Sequence, residues 1–69
     1  MNTITIVHSS ISHKKEAGVL AKMLKLLADS QVDLVGFTRK STSVSYVELT
    51  FQVEGLPEAV DAFEKAALS

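Results

Sequence analysis

Apolar and polar residues alternate along 3–8, with Ile4, Ile6 and His8 on one side and Thr3, Thr5 and Val7 on the other. A period of two marks a strand with one buried face. Ser9, Ser10 and Ser12 follow. Hydroxyls compete for backbone hydrogen bonds, so a loop is expected there. The period then lengthens. Val19, Leu20, Met23, Leu24, Leu26 and Leu27 form a wide apolar stripe, with Lys22, Lys25 and Asp29 on the wet side, as in an amphipathic helix. Ser12 is the expected N-cap, because Lys15 and Glu16 fall where the first turn would lie; a start nearer Glu16 is the alternative. Ser30-Gln31 ends the helix without a glycine cap.

A β-branched run over 32–38 predicts the second strand, where Gly36 signals a bulge or a close backbone approach. Polar residues 39–43 form the expected turn. Residues 44–53 make the third strand, with Val47, Leu49, Phe51 and Val53 inward and Tyr46, Glu48, Thr50 and Gln52 outward. Gly55-Leu56-Pro57-Glu58 opens a second helix, the proline standing in the first turn where its missing donor costs nothing. Leu56, Val60, Phe63 and Ala67 recur at helical spacing.

The predicted order is β-α-β-β-α, an α+β chain forming one domain over residues 1–69. Three antiparallel strands in the order 2-3-1, with both helices on one face, would make a ferredoxin-like half-sandwich. The fourth strand of that fold is missing, or is supplied by a partner. The first strand is then an apolar edge without charge, the kind that proteins pair or block. A partner chain is expected there or at the second strand.

Composition narrows the function by exclusion. Sixty-nine residues lie near the lower limit for an independent core, and there is no cysteine to staple it. Oligomerisation is the remaining support. No apolar run approaches the ~20 residues of a membrane span, and Met1–Thr5 lacks the start of a signal peptide. A cytoplasmic protein with no membrane association is expected. The net charge of −1 argues against a nucleic-acid binder. One aromatic and an acid on the open sheet face argue the same way. Charge is nevertheless uneven. Residues 1–40 carry six cations against three anions, and residues 41–69 one cation against five anions.

The segment Ala17-Gly18-Val19-Leu20-Ala21-Lys22-Met23-Leu24-Lys25-Leu26-Leu27-Ala28, then Val32-Asp33-Leu34, resembles the ACT domain. Val47 to Gly55 resembles that family's third strand, and Leu56 to Leu68 its second helix. The resemblance covers nearly the whole chain except the last strand. It implies a regulatory module that pairs through its sheet and holds an amino acid or similar metabolite between subunits. The implied contacts are the loop and helix start over 12–20, with Gly18 admitting a ligand to the backbone, and Val35, Gly36 and Phe37 of a neighbour's second strand. Two positions depart from the family. Ala17 replaces a proline, and Lys15 stands where an Asp or Asn would hold a ligand's ammonium group.

Chemistry from the residues themselves centres on His13, Lys14 and Lys15. Cations at a helix start oppose the dipole by about 0.3–1 kcal/mol each. With Ser12 and free amides they would suit an anion. His8 and His13 are too few for a metal site, and no acid completes a Ser-His pairing for nucleophilic catalysis. No cofactor motif is present: Gly18, Gly36 and Gly55 stand alone. The expectation is a non-catalytic, homo-oligomeric ACT-like module. Its ligand, an amino acid or anionic metabolite, would be bound by Ser12, His13, Lys14, Lys15, Gly18, Val19, Leu20, Val35 and Phe37. The alternative is a small interaction factor, an inhibitor or accessory subunit, docking on a protein partner through an exposed sheet edge.

Overall fold

A computed structural model describes residues 1–69. The elements run β1 (Asn2–Ser12), α1 (Glu16–Asp29), β2 (Val32–Ser41), β3 (Tyr46–Gly55) and α2 (Pro57–Leu68). The sheet order is β1-β3-β2, both pairings antiparallel. Strands 1 and 2 therefore flank the last strand of the chain, with α1 crossing between them. This is the ferredoxin-like arrangement without a fourth strand, as the hydrophobic pattern predicts.

The core lies on one side of the sheet. Val47, Leu49, Phe51 and Val53 of β3 are wholly buried, and Ile6 and Ile11 of β1 and Val32 of β2 join them. Met23 of α1 and Val60, Phe63 and Ala67 of α2 cover them. Period two in β3 and period 3.6 in α2 thus converge on one layer of side chains. The helical stripe of α1 is less complete: Met23 is buried, Val19, Leu20, Leu26 and Leu27 are half-buried, and Leu24 is 51% exposed. Leu56 caps α2 and is also exposed, outside the core that its spacing suggests.

Two boundaries differ from the sequence expectations, and another decides between the two starts considered for the first helix. First, Ser9–Ser12 is not a loop: β1 continues through it with a bulge between His8 and Ile11. Two serines there oppose one residue of β3, and Ser10 takes φ 58°, in the left-handed region. The extra residue changes the phase of the strand. Ile4, Ile6 and His8 face the helices, so the next inward position would be Ser10; the bulge hands that place to Ile11, which is buried. Burying an isoleucine is worth about 1.5–3 kcal/mol, against about 1–2 kcal/mol for one non-glycine residue in the left-handed region. Burial wins.

Second, the helix starts at Glu16, with Lys15 at the N-cap position and no side-chain cap; this is the later of the two starts considered. Ser12 instead closes a tight turn. Its carbonyl accepts from Lys15 N (2.9 Å) and its hydroxyl from Lys14 N (3.3 Å). Third, β2 runs on through Arg39, Lys40 and Ser41, and the hairpin turn occupies 42–45. Val44 belongs to that turn and is 97% exposed. The turn is held by the Thr42 and Ser43 amides donating to the Tyr46 carbonyl.

Gly36 does mark a bulge, with Val35 the extra residue of β2. Gly55 answers a different demand. A Cβ there would lie 3.2 Å from the Gln31 carbonyl oxygen and 3.3 Å from Val32 Cγ1. Backbone cannot yield as a side-chain tip can.

Two substitutions test this packing. Gly55→Ala should cost about 1–3 kcal/mol by forcing the start of β2 away from β3. Ser10→Gly should raise stability by about 0.5–1 kcal/mol, the left-handed strain outweighing the flexibility of glycine in a strand. Both are read as shifts in thermal or urea midpoints.

Candidate functional site

The predicted site residues fall into two groups. Ser12 ends β1, and His13, Lys14 and Lys15 form the exposed turn into α1. This turn is pinned to the β2–β3 hairpin, since His13 N donates to the Ser45 carbonyl at 3.2 Å. Beyond it, the amides of Glu16, Ala17 and Gly18 have no backbone acceptor, as first-turn amides do not. Gly18 itself is exposed, and a Cβ built on it meets nothing within 4 Å. Val19 and Leu20 pack half-buried against the core.

Glu16 changes the electrostatics of this end. Its carboxylate receives Nε and Nη2 of Arg39, reaching over from β2, the second contact at 3.0 Å. His13 Nδ1 lies 4.0 Å from the same carboxylate. The Arg39 hydrogen bond holds the Glu16 carboxyl below its ordinary value of 4.5, with the charges of Arg39 and His13 acting in the same direction and desolvation opposing them. The anion of this corner is therefore supplied from within the chain. Lys14 and Lys15 make no ion pair and remain as free positive charge beside the open amides. Lys14, Lys15 and His13 are adjacent in sequence; the partner Arg39, 23 residues on from Glu16, becomes visible only when β2 is set alongside α1.

The second group lies on β2. Val35 is the bulged residue, 47% exposed, and Phe37 is 42% exposed while its ring rests on Phe51 at 5.0 Å. On the opposite, open face, the missing side chain of Gly36 leaves a shallow depression of about 160 Å³. Thr5, Thr38, Thr50 and Gln52 line it along with Gly36 and Phe37. The Gln52 side chain lies over Gly36, its Oε1 3.0 Å from where a Cβ would stand. Three hydroxyls and an amide offer hydrogen bonds but no charge. Of the predicted residues, Gly36 and Phe37 touch this depression; none of 12–20 does. The two groups thus do not form one pocket within a single chain. The strand glycine signalled the position of the depression, but its threonine walls come from three strands and required the register.

His8 sits inward beside Leu49, edge-on to Phe51 with ring centroids 6.2 Å apart. Its Nε2 is buried without a hydrogen-bond partner. No group of three or more His, Cys, Asp or Glu side chains is gathered to hold a metal ion. No helix is long and apolar enough to cross a membrane. No protein-family model, curated protein or solved structure matches the chain.

The Glu16–Arg39 pair makes a pH-dependent contribution whose sign is determined. A carboxyl lowered on folding stabilises above its unfolded value, and that stability is lost as pH falls through the folded value. The urea midpoint of the native chain should therefore exceed that of Glu16→Gln at neutral pH. The gap should close progressively as pH drops below about 4.5. A gap that persists at about pH 3 would mean that Glu16 acts through packing and not through charge.

Proposed function

We propose that the chain is a non-catalytic, ACT-like binding module. It pairs with a second copy through its sheet and holds a small metabolite or anion between subunits. The observation that carries this reading is Gly18. A glycine inside an exposed helix costs about 0.8–1 kcal/mol relative to alanine, and here no neighbour requires it, because the space a Cβ would fill is open. Gly18 stands beside three free first-turn amides and the unpaired Lys14 and Lys15. A ligand approaching the helix backbone at that point would account for the missing side chain.

The separation of the two groups of candidate residues favours a site shared between copies. The turn at 12–15 supplies positive charge, and β2 supplies apolar surface at Val35 and Phe37. A carboxylate or phosphate of the ligand would bind the first, and its apolar part the second. Lys15 in place of a carboxylate or amide disfavours the ammonium group of an amino acid, so an anionic metabolite fits the turn better. The outer edges of β1 and β2 have no neighbouring strand, and such edges are the means by which sheets pair.

The second reading, a small inhibitor or accessory factor that docks on another protein, rests on the exposed Leu34, Val35 and Phe37 of β2. An extended peptide added to that edge would gain backbone hydrogen bonds and cover the same side chains.

Sedimentation of the purified chain, alone and with a panel of amino acids and anionic metabolites, separates the two. The proposal expects a dimer or larger assembly and a ligand that raises the melting temperature. A strict monomer indifferent to every metabolite would favour the docking factor. Gly18→Ala sharpens the test. It should stabilise the free chain by up to about 1 kcal/mol and yet abolish the ligand-induced rise in melting temperature. Retention of that rise would remove the backbone-approach argument.

A further inference from the structure

On the open face of β2, Lys40 stands across from Glu48, an opposite charge, but Asp33 has no such neighbour. Asp33 lies directly across from Glu54, and like charges at that spacing are destabilising. Neither carboxylate forms an ion pair, and neither does Lys40 near the other end of the strand. The pairs present are Lys25–Asp29, Lys65–Asp61 and Glu16 with Arg39 and His13. The outer edge of β2 has no neighbouring strand.

The bulge decides which residues share a face. Seven positions apart in an unbroken strand, Asp33 and Lys40 would point to opposite sides. Val35 is the extra residue, so both project from the open face, in line with Glu54 and Glu48 respectively. Gly36 and Thr38 lie on that face too, whereas Leu34, Phe37 and Arg39 face the helices with Val53, Phe51 and Leu49. With Val35 and Gly36 taken as one rung, Phe37 is the middle of the ladder from Val32 to Ser41.

Set a second β2 antiparallel to the first about a two-fold axis at Phe37. Phe37 then meets Phe37, Gly36 meets Thr38, Leu34 meets Arg39, and Asp33 meets Lys40. Every pair lies on matching faces. The Lys40 of one copy arrives beside the Asp33–Glu54 pair of the other and relieves it, twice by symmetry. The half-exposed Phe37 and Leu34 are covered, Leu34 by the stem of an Arg39 that Glu16 already holds in place. The β1 edge offers no such selection, because Asn2–Ser12 carries no Asp, Glu, Lys or Arg.

We infer that β2 is a self-complementary edge. A second copy of this chain binds it antiparallel in this register, with two Asp33–Lys40 ion pairs flanking a central Phe37 contact. The inference rests on the reading of the chain as a sheet-paired module and specifies the edge and register of that pairing.

Charge reversal tests it by sedimentation across a concentration series, with circular dichroism to verify folding. The native chain should sediment at twice its 7.5 kDa. Asp33→Lys and Lys40→Asp should each weaken the dimer by about tenfold or more, because each places like charges opposite one another at two symmetric sites. The double swap, Asp33→Lys with Lys40→Asp, should restore it. Dimers unaffected by either single reversal would overturn the register while leaving the sheet-paired reading standing. Failure of the double swap to restore a dimer lost in both single variants would overturn it likewise. A native chain that stays monomeric would remove both readings together.

Discussion

Burial of one face of β3 is the constraint on which the remaining structure depends. Val47, Leu49, Phe51 and Val53 have no solvent exposure, and β3 is the strand to which both β1 and β2 are bonded. Truncating a buried phenylalanine costs about 3–5 kcal/mol, a large share of the roughly 5–15 kcal/mol that holds a typical domain together. Loss of Phe51 would also remove the platform against which Phe37 and His8 rest. Because neither outer strand pairs with anything else, each is native only while β3 is.

The two edge strands meet this constraint by the same device. Each carries one extra residue, and in each that residue shifts the phase of the rest of the strand. In β1 the bulge brings Ile11 inward at the cost of a left-handed Ser10. In β2 it aligns Phe37 with Phe51 and leaves Asp33 and Lys40 on one face. A bulge near an edge also twists the strand and discourages indiscriminate pairing. Any strand added to either edge would have to match the shifted phase.

The corner where α1 begins is held by different means. No side chain caps the helix; its end is fastened through Glu16 to Arg39 and through His13 to the hairpin at Ser45. These contacts join three segments far apart in sequence. They also consume the one acid of the corner, which leaves Lys14 and Lys15 as the charge a ligand would encounter. Gly18, unneeded by packing, lies alongside.

Local sequence determined the element order, the inward face of β3, the packing of Val60, Phe63 and Ala67 in α2, and the position of the β2 bulge. Those features come from local alternation and from Gly36 and Pro57, and they are visible without knowing what packs against what. The tertiary structure decided the rest. The serines at 9–12 read as a loop because hydroxyls favour turns, yet they belong to β1, because burying Ile11 outweighs the strain at Ser10. Leu24 read as core but stands exposed, while Met23 beside it takes the buried position. The Arg39–Glu16 pair, the threonine-lined depression at Gly36 and the Asp33–Glu54 opposition depend on register between strands. Register is a long-range property, set by which faces are buried together, and no local pattern contains it.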